Sequence, residues 1–235
     1  MRFLICLSFV FACNNAVPDD TSAPIDTGTG TGTDQAPLAG LGTLTGDCWQ
    51  LDTELADAAP SIFRNDVDLG AAGFVYDDLT DAAKAVHDAA NLGGSSILSE
   101  ALAVDVLARC EGAGLLKTEA EIVYDAAGKR TDELVTIDGS KVGVSVVRAF
   151  KYPPGTPLEI VDATDLLNGK LSDILDSSAK VSAGDAWVKQ ILSVVAYDDT
   201  AADSVEQAWA TLDASVKADT IVYVTVTSGQ DADVY

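Results

Sequence analysis

The sequence predicts an α/β domain (α+β by some schemes): a mixed sheet built on a three-stranded antiparallel meander, in the order αβββα(αα)β, with flanking helices. Three observations predict it. A helical apolar stripe runs through "SSILSEALAVDVLARCEGAG"; the period then changes to β-rich runs from Thr118 to Phe150; and a β-branched run, "DTIVYVTVT", follows further helical patterns near the end.

Taken in order, "YDDLTDAAKAVHDAA", from Tyr76 to Ala90, offers Thr80 as N-cap and Ala82, Ala83, Val86 and Ala90 at helical spacing, ended by "NLGG". It carries His87, the single histidine of the chain, beside Asp88. A multi-histidine metal site is thereby excluded, and a Ser-His-Asp triad lacks its Gly-x-Ser-x-Gly elbow. The next helix has Ser95 or Ser96 as cap, a stripe through Ile97, Leu98, Ala101, Leu102, Val106 and Leu107, and Gly112 beyond its end; Glu100 sits in its second turn. Three β-rich runs follow, at 119–125, 131–137 and 141–149, separated by "AAGK" and "DGSK", both with the glycine that short hairpin loops favour. In the third, Val142, Val144 and Val146 alternate with Gly143, Ser145 and Val147, so both faces are small or apolar and the strand is expected to be central. After the proline-stiffened "KYPPGTP", helical patterns are read over Asp162–Asp176, Ala183–Ala196 and Ala201–Ala214, with Trp187, Ile191, Val194 and Val195 marking the middle one as buried and Trp209 as core. The closing β-branched run is expected to pair inside the sheet.

The chain opens with "MRFLICLSFVFACNN", one positive residue and then an apolar run too short for a mature membrane span. This is read as an export signal over residues 1–12. Val10-Phe11-Ala12-Cys13 resembles the lipobox of bacterial lipoproteins, which implies lipid on Cys13, export, and anchoring to the outer membrane or cell surface; Asn14 favours the outer membrane. Cleavage at a later site such as Ala16, with release of the protein, is the alternative. Residues 13–46 are rich in Gly, Thr, Asp and Pro with almost no large apolar residue, and read as a disordered tether. A single globular domain is assigned to 47–235. Once Cys6 leaves with the signal and Cys13 carries lipid, Cys48 and Cys110 remain as an even pair; they are expected to form a disulfide, the alternative being two buried thiols.

Charge bounds the partners. The formal net charge is -23, from 37 acidic against 14 basic residues. Lys117, Lys129, Arg130, Lys141, Arg148 and Lys151 cluster in sequence, but Glu119, Glu121, Asp125, Asp132, Glu133 and Asp138 fall in the same window and cancel them. A nucleic-acid partner is therefore not expected. The expected attachment is to the membrane through Cys13, and no partner protein is named by the sequence.

The order helix, three strands, helices, strand, with Glu100 in the helix and Asp132 opening the second run, resembles the PD-(D/E)xK, restriction-endonuclease-like core over about residues 95–228. That resemblance implies Mg²⁺ held by a helix acid, a strand Asp and a third-strand Glu-x-Lys, with phosphodiester cleavage as the activity. Hard Mg²⁺ prefers carboxylate oxygen, and the lysine orients the attacking water. Glu100 and Asp132 match; the Glu-x-Lys seat falls on Ser145-Val146-Val147, which matches in neither half. The first expectation is accordingly a catalytically inactive nuclease-like domain with a binding or structural role and no cofactor. The alternative is a rearranged Mg²⁺-dependent hydrolase using Glu100, Glu121 and Asp132 as metal ligands, with Lys141 or Arg148 for the lysine. An unrelated α/β lipoprotein with the same strand order is the third.

Overall fold

The computed structural model describes residues 36–89 and 96–230. The export signal, Cys13, the tether as far as residue 35, and Ser95 with the "NLGG" stretch lie outside the described residues.

Seven strands form one mixed sheet: β1 (Thr43–Gly46), β2 (Ser61–Asp68), β3 (Gly114–Thr118), β4 (Glu133–Ile137), β5 (Ser140–Ala149), β6 (Lys189–Ala196) and β7 (Ile221–Val226), in the spatial order β1-β2-β7-β6-β5-β4-β3. The strands β2, β7, β6 and β5 run parallel to one another, while β3-β4-β5 is an antiparallel meander. Side-chain alternation divides the sheet between two layers of helix. Val135, Val142, Val144, Val146, Ile191 and Tyr223 pack with α2 (Asp81–His87) and α3 (Ile97–Glu111). Leu192, Val194, Val222 and Val224 pack with α4 (Ile160–Lys180) and α5 (Asp199–Thr211), where Trp209 is buried. Short helices α1 (Leu51–Glu54) and α6 (Ala214–Lys217) complete the set.

Local chemistry explains the element ends. Thr80 caps α2 by accepting from the Ala83 N–H, and Gly112, at φ 64°, ends α3 in the left-handed conformation that glycine adopts most readily. Asp138 and Gly139, at φ 49° and 76°, make the two-residue turn between β4 and β5, with Ile137 paired to Ser140. Ser96 differs from expectation: it sits at the N-cap of α3 with helical dihedrals and no side-chain cap, and its carbonyl accepts from the Ser99 hydroxyl.

Four sequence expectations need correction. The stretch 183–196 is not a helix, because β6 occupies 189–196 and every residue of it is buried. A fully buried parallel strand shows a continuous apolar run, which helical spacing also fits. The first strand of the meander lies at Gly114–Thr118, ahead of 119–125; the segment after it is a long loop with only a bridge between Tyr124 and Val181. Its backbone is satisfied by the end of α4, through Asp125 N–H to Lys180 O at 2.8 Å and Ser182 N–H to Val123 O at 2.9 Å. The strands β1 and β2 were not expected at all. Finally, the boundary at residue 46 falls too late, since β1 belongs to the sheet.

Arg109 accounts for that last point. Its guanidinium donates to the carbonyls of Leu38, Leu41 and Gly42, and Asp105 accepts from the Leu41 and Thr80 N–H groups. The buried Asp105–Arg109 pair thus ties the segment leading into β1 onto α3. Cys48 and Cys110 are joined as a disulfide at a Cα separation of 4.5 Å, and Trp49 N–H donates to Cys110 O beside it.

Candidate functional site

Two of the acids singled out by sequence, Glu100 and Asp132, meet at the beginning of β4. Asp132 stands just before that strand, where β5 runs on past its partner. Its N–H donates to Val144 O at 3.0 Å, and its Oδ2 accepts from the Val146 N–H at 2.7 Å. The side chain therefore continues the ladder where β4 has stopped, a structural role a carboxylate fills well. Burial pushes the Asp132 carboxyl up to about 7; the Val146 N–H and Lys170 of α4 oppose that, and the charges of Glu100 and Glu119 add to it.

Glu133, the next residue, pairs in register with Val144 and shares the face of Val135 and Ile137, toward α3. It is fully buried, and neither of its carboxylate oxygens has a hydrogen-bond partner. Burial first, then Asp132, Glu100 and Glu119, raises its pKa well above the ordinary glutamate value. A neutral, protonated acid is the form this environment favours. Glu119 is half-buried in the loop after β3, and its pKa is raised by burial and by Glu100, with Arg130 opposing.

Of the residues selected by sequence, Glu100 and Asp132 come together, and the others do not join them. Glu121 is exposed and turned back on Thr118, accepting from its N–H at 3.0 Å and its hydroxyl at 3.1 Å, which lowers its pKa. Glu119 and Glu121 were expected on one strand face; neither is in a strand. Lys141 donates to Gly184 O at 2.6 Å, on the far side of the hairpin. Arg148 is half-buried farther along β5. Ser145 and Val147 alternate with Val144 and Val146, so they face α4 while Glu100 and Glu133 belong to the α3 side. Even a carboxylate and a lysine at 145 and 147 would start from the opposite face of the sheet.

The donor chemistry of Glu100, Asp132 and Glu133 suits Mg²⁺, but their arrangement does not. Among the described residues no three His, Cys, Asp or Glu side chains are placed to hold an ion together. Glu133 was missed from sequence, although an acid at one end of the face shared with Val135 and Ile137 was the available signal. Lys170 and Glu119 also join the neighbourhood, from a helix and a loop far apart in sequence from β4.

No family model matches the chain. A protein of Dictyostelium discoideum, the AAC-rich mRNA clone AAC4 protein, is 38% identical over 152 residues, which is 62% of this chain and 22% of that protein. The chain thus spans about a fifth of the length of the curated relative it matches. Among solved structures, Pyrococcus furiosus SfsA in complex with Ca²⁺ covers 58% of this chain and 59% of its own at 11% identity, with a TM-score of 0.27, too low to bear on fold or function.

Proposed function

We propose that the chain is an exported envelope lipoprotein, anchored through Cys13, whose α/β domain keeps the strand order of a nuclease-like core for a binding or structural role and does not cleave nucleic acid. The observation that carries this reading is the third strand of the meander, where Ser145 and Val147 stand at the Glu-x-Lys seat and face α4, away from Glu100 and Glu133. The candidate replacements support it as well: Glu121 caps its own loop and Lys141 is spent on a carbonyl. A net charge of -23 further opposes a polyanionic substrate. In this reading Asp132 serves the sheet, and Glu133 is a neutral member of the core.

One observation favours a second reading. Glu133 adds an unpartnered carboxyl to Glu100 and Asp132, with Lys170 nearby, so a rearranged hydrolase would use Glu133 and Lys170 in place of Glu121 and Lys141. Thermal denaturation of the full chain with and without millimolar Mg²⁺, Mn²⁺ or Ca²⁺ separates the two. The non-catalytic reading expects any cation effect to persist unchanged in a Glu100→Gln/Asp132→Asn variant. A stabilisation that this double substitution abolishes would replace it with the hydrolase reading.

A further inference from the structure

A concave site opens on the α4 side of the sheet, at the start of β6. It measures about 240 Å³ and is open to solvent. One wall is the indole of Trp187, whose Nε1–H donates to the Ser178 hydroxyl at 3.1 Å. A Cβ added at Gly143 would stand 2.9 Å from Trp187 Cδ2 and 3.1 Å from Cε2. Those two atoms form the bond at which the rings of the indole fuse, and both are approached at once only from above or below the ring plane. Gly143 therefore lies against one face of the indole, where only a residue without a side chain fits. The ring is seated before any ligand arrives, and its opposite face is the one left for contact.

The charges around the cavity offset one another. The buried Lys189 ammonium donates to the carbonyls of Glu54 at 2.6 Å, Asp57 at 2.6 Å and Ala59 at 3.0 Å. Burial lowers its pKa, and the charges of Asp219, Asp57 and Glu54 oppose that. Asp219 stands exposed at the rim, coupled to this ammonium. A lining with one charge of each sign favours neither a cation nor an anion. What it offers a ligand is an acceptor and a donor. The acceptor is the Asp219 carboxylate. The donor is the exposed Ser178 hydroxyl, whose two lone pairs are taken by the Trp187 indole N–H and by Gln190 Nε2 at 3.0 Å, leaving its proton to give. Leu175 and Val188 add exposed apolar surface to the lining. An aromatic face with a donor and an acceptor at its margin complements a neutral sugar ring, whose C–H face is apolar and whose hydroxyls both give and accept.

We propose that the pocket formed by Trp187, Ser178 and Asp219 binds a single neutral pyranose, with the apolar face of the sugar against the indole. The volume lies below the roughly 300 Å³ at which pockets for drug-sized ligands begin, which limits the guest to one ring. An open-chain polyol lacks the flat face, and a charged group gains nothing from a balanced lining. The site does not rest on whether the nuclease-like core is inert.

The test is a titration of the full chain, with its tryptophan indoles labelled with nitrogen-15, by D-glucose, D-galactose, D-mannose and N-acetyl-D-glucosamine. Sorbitol, which carries hydroxyls without a ring, and the ions ethylammonium and acetate serve as controls. Saturation-transfer NMR on the sugar reads binding independently of the indole signal. The expected result is a saturable shift of the Trp187 indole signal with at least one sugar, and none with sorbitol or either ion. Ser178→Ala and Asp219→Asn should each weaken binding about tenfold. Trp187→Leu should abolish the saturation transfer while the Trp49 and Trp209 signals report an intact fold. Methyl glycosides run beside the free sugars separate the end residue of a glycan, which binds equally well as its glycoside, from a free monosaccharide, which does not. The proposal is overturned if no sugar gives a saturable shift, if sorbitol or either ion binds as tightly as the best sugar, if Trp187→Leu keeps the saturation transfer, or if Asp219→Asn binds as tightly as the native chain.

Discussion

Replacing Asp132 by Asn should make the domain more stable at alkaline pH, with a magnitude that follows from where the carboxyl sits. Its folded-state pKa is raised from 3.8 to about 7, chiefly by burial. Between those values the folded chain keeps a proton that the unfolded chain has already released. The contribution of Asp132 to stability is thus highest below about pH 4, falls as pH rises to about 7, and is flat beyond. At about 1.4 kcal/mol per unit, the full shift corresponds to roughly 4 kcal/mol, and partial exposure of the side chain brings the expectation to about 2 kcal/mol. An asparagine oxygen can still accept the Val146 N–H, so the ladder contact survives while the titration is removed. Urea denaturation of the native chain and of Asp132→Asn at pH 4 and pH 8 measures the difference; groups away from the site cancel between the two proteins, and Glu133, relieved of the Asp132 charge, adds in the same sense. The variant should gain about 2 kcal/mol on the native chain between the two pH values. A difference that does not change with pH, or a variant that is the less stable protein at pH 8, would refute the reasoning.

Two further outcomes are expected. Replacing Cys48 and Cys110 by Ala opens a cross-link spanning a sequence separation of 62 residues and should cost about 4 kcal/mol in reversible unfolding; an unchanged midpoint would show that the bond does not constrain the unfolded chain. Cys13→Ala should move the protein from the detergent phase to the aqueous phase in a partition assay, and continued membrane association would remove the lipid from the account.

Local signals were read from sequence where short-range chemistry alone decides them. The "DG" turn, the Thr80 cap and the Gly112 stop are set within a few residues, and each is where it was expected. Longer-range competition decided the rest. The apolar residues of β6 suit a buried helix or a buried strand equally, and only pairing with β5 and β7 chooses. The run 119–125 has β character, yet Thr118 and Glu121 close a local turn and the remainder docks on the end of α4. The edge pair β1 and β2 depends on Arg109, far along the chain, to hold its entry segment. At the candidate site, Glu100 and Asp132 were picked out through the resemblance to the nuclease-like core, which implies an acid in the first helix and one opening the second strand. The pairing of Glu133 with a neutralising, buried environment was not visible, because its neighbours come from a helix and a loop that fold over it.

The central claim is that Asp132 supports a sheet and does not hold a catalytic ion. Its most direct test is incubation of the purified full chain with single- and double-stranded DNA in Mg²⁺ or Mn²⁺, beside an Asp132→Ala control. On the proposed nuclease-like reading, the absence of a third-strand carboxylate and lysine corresponds to a loss of transition-state stabilisation on the order of a thousandfold or more in rate. The account predicts that the native chain and the control leave the DNA equally intact. Reproducible cleavage by the native chain that Asp132→Ala abolishes would contradict it, and would place the missing ligand at Glu133.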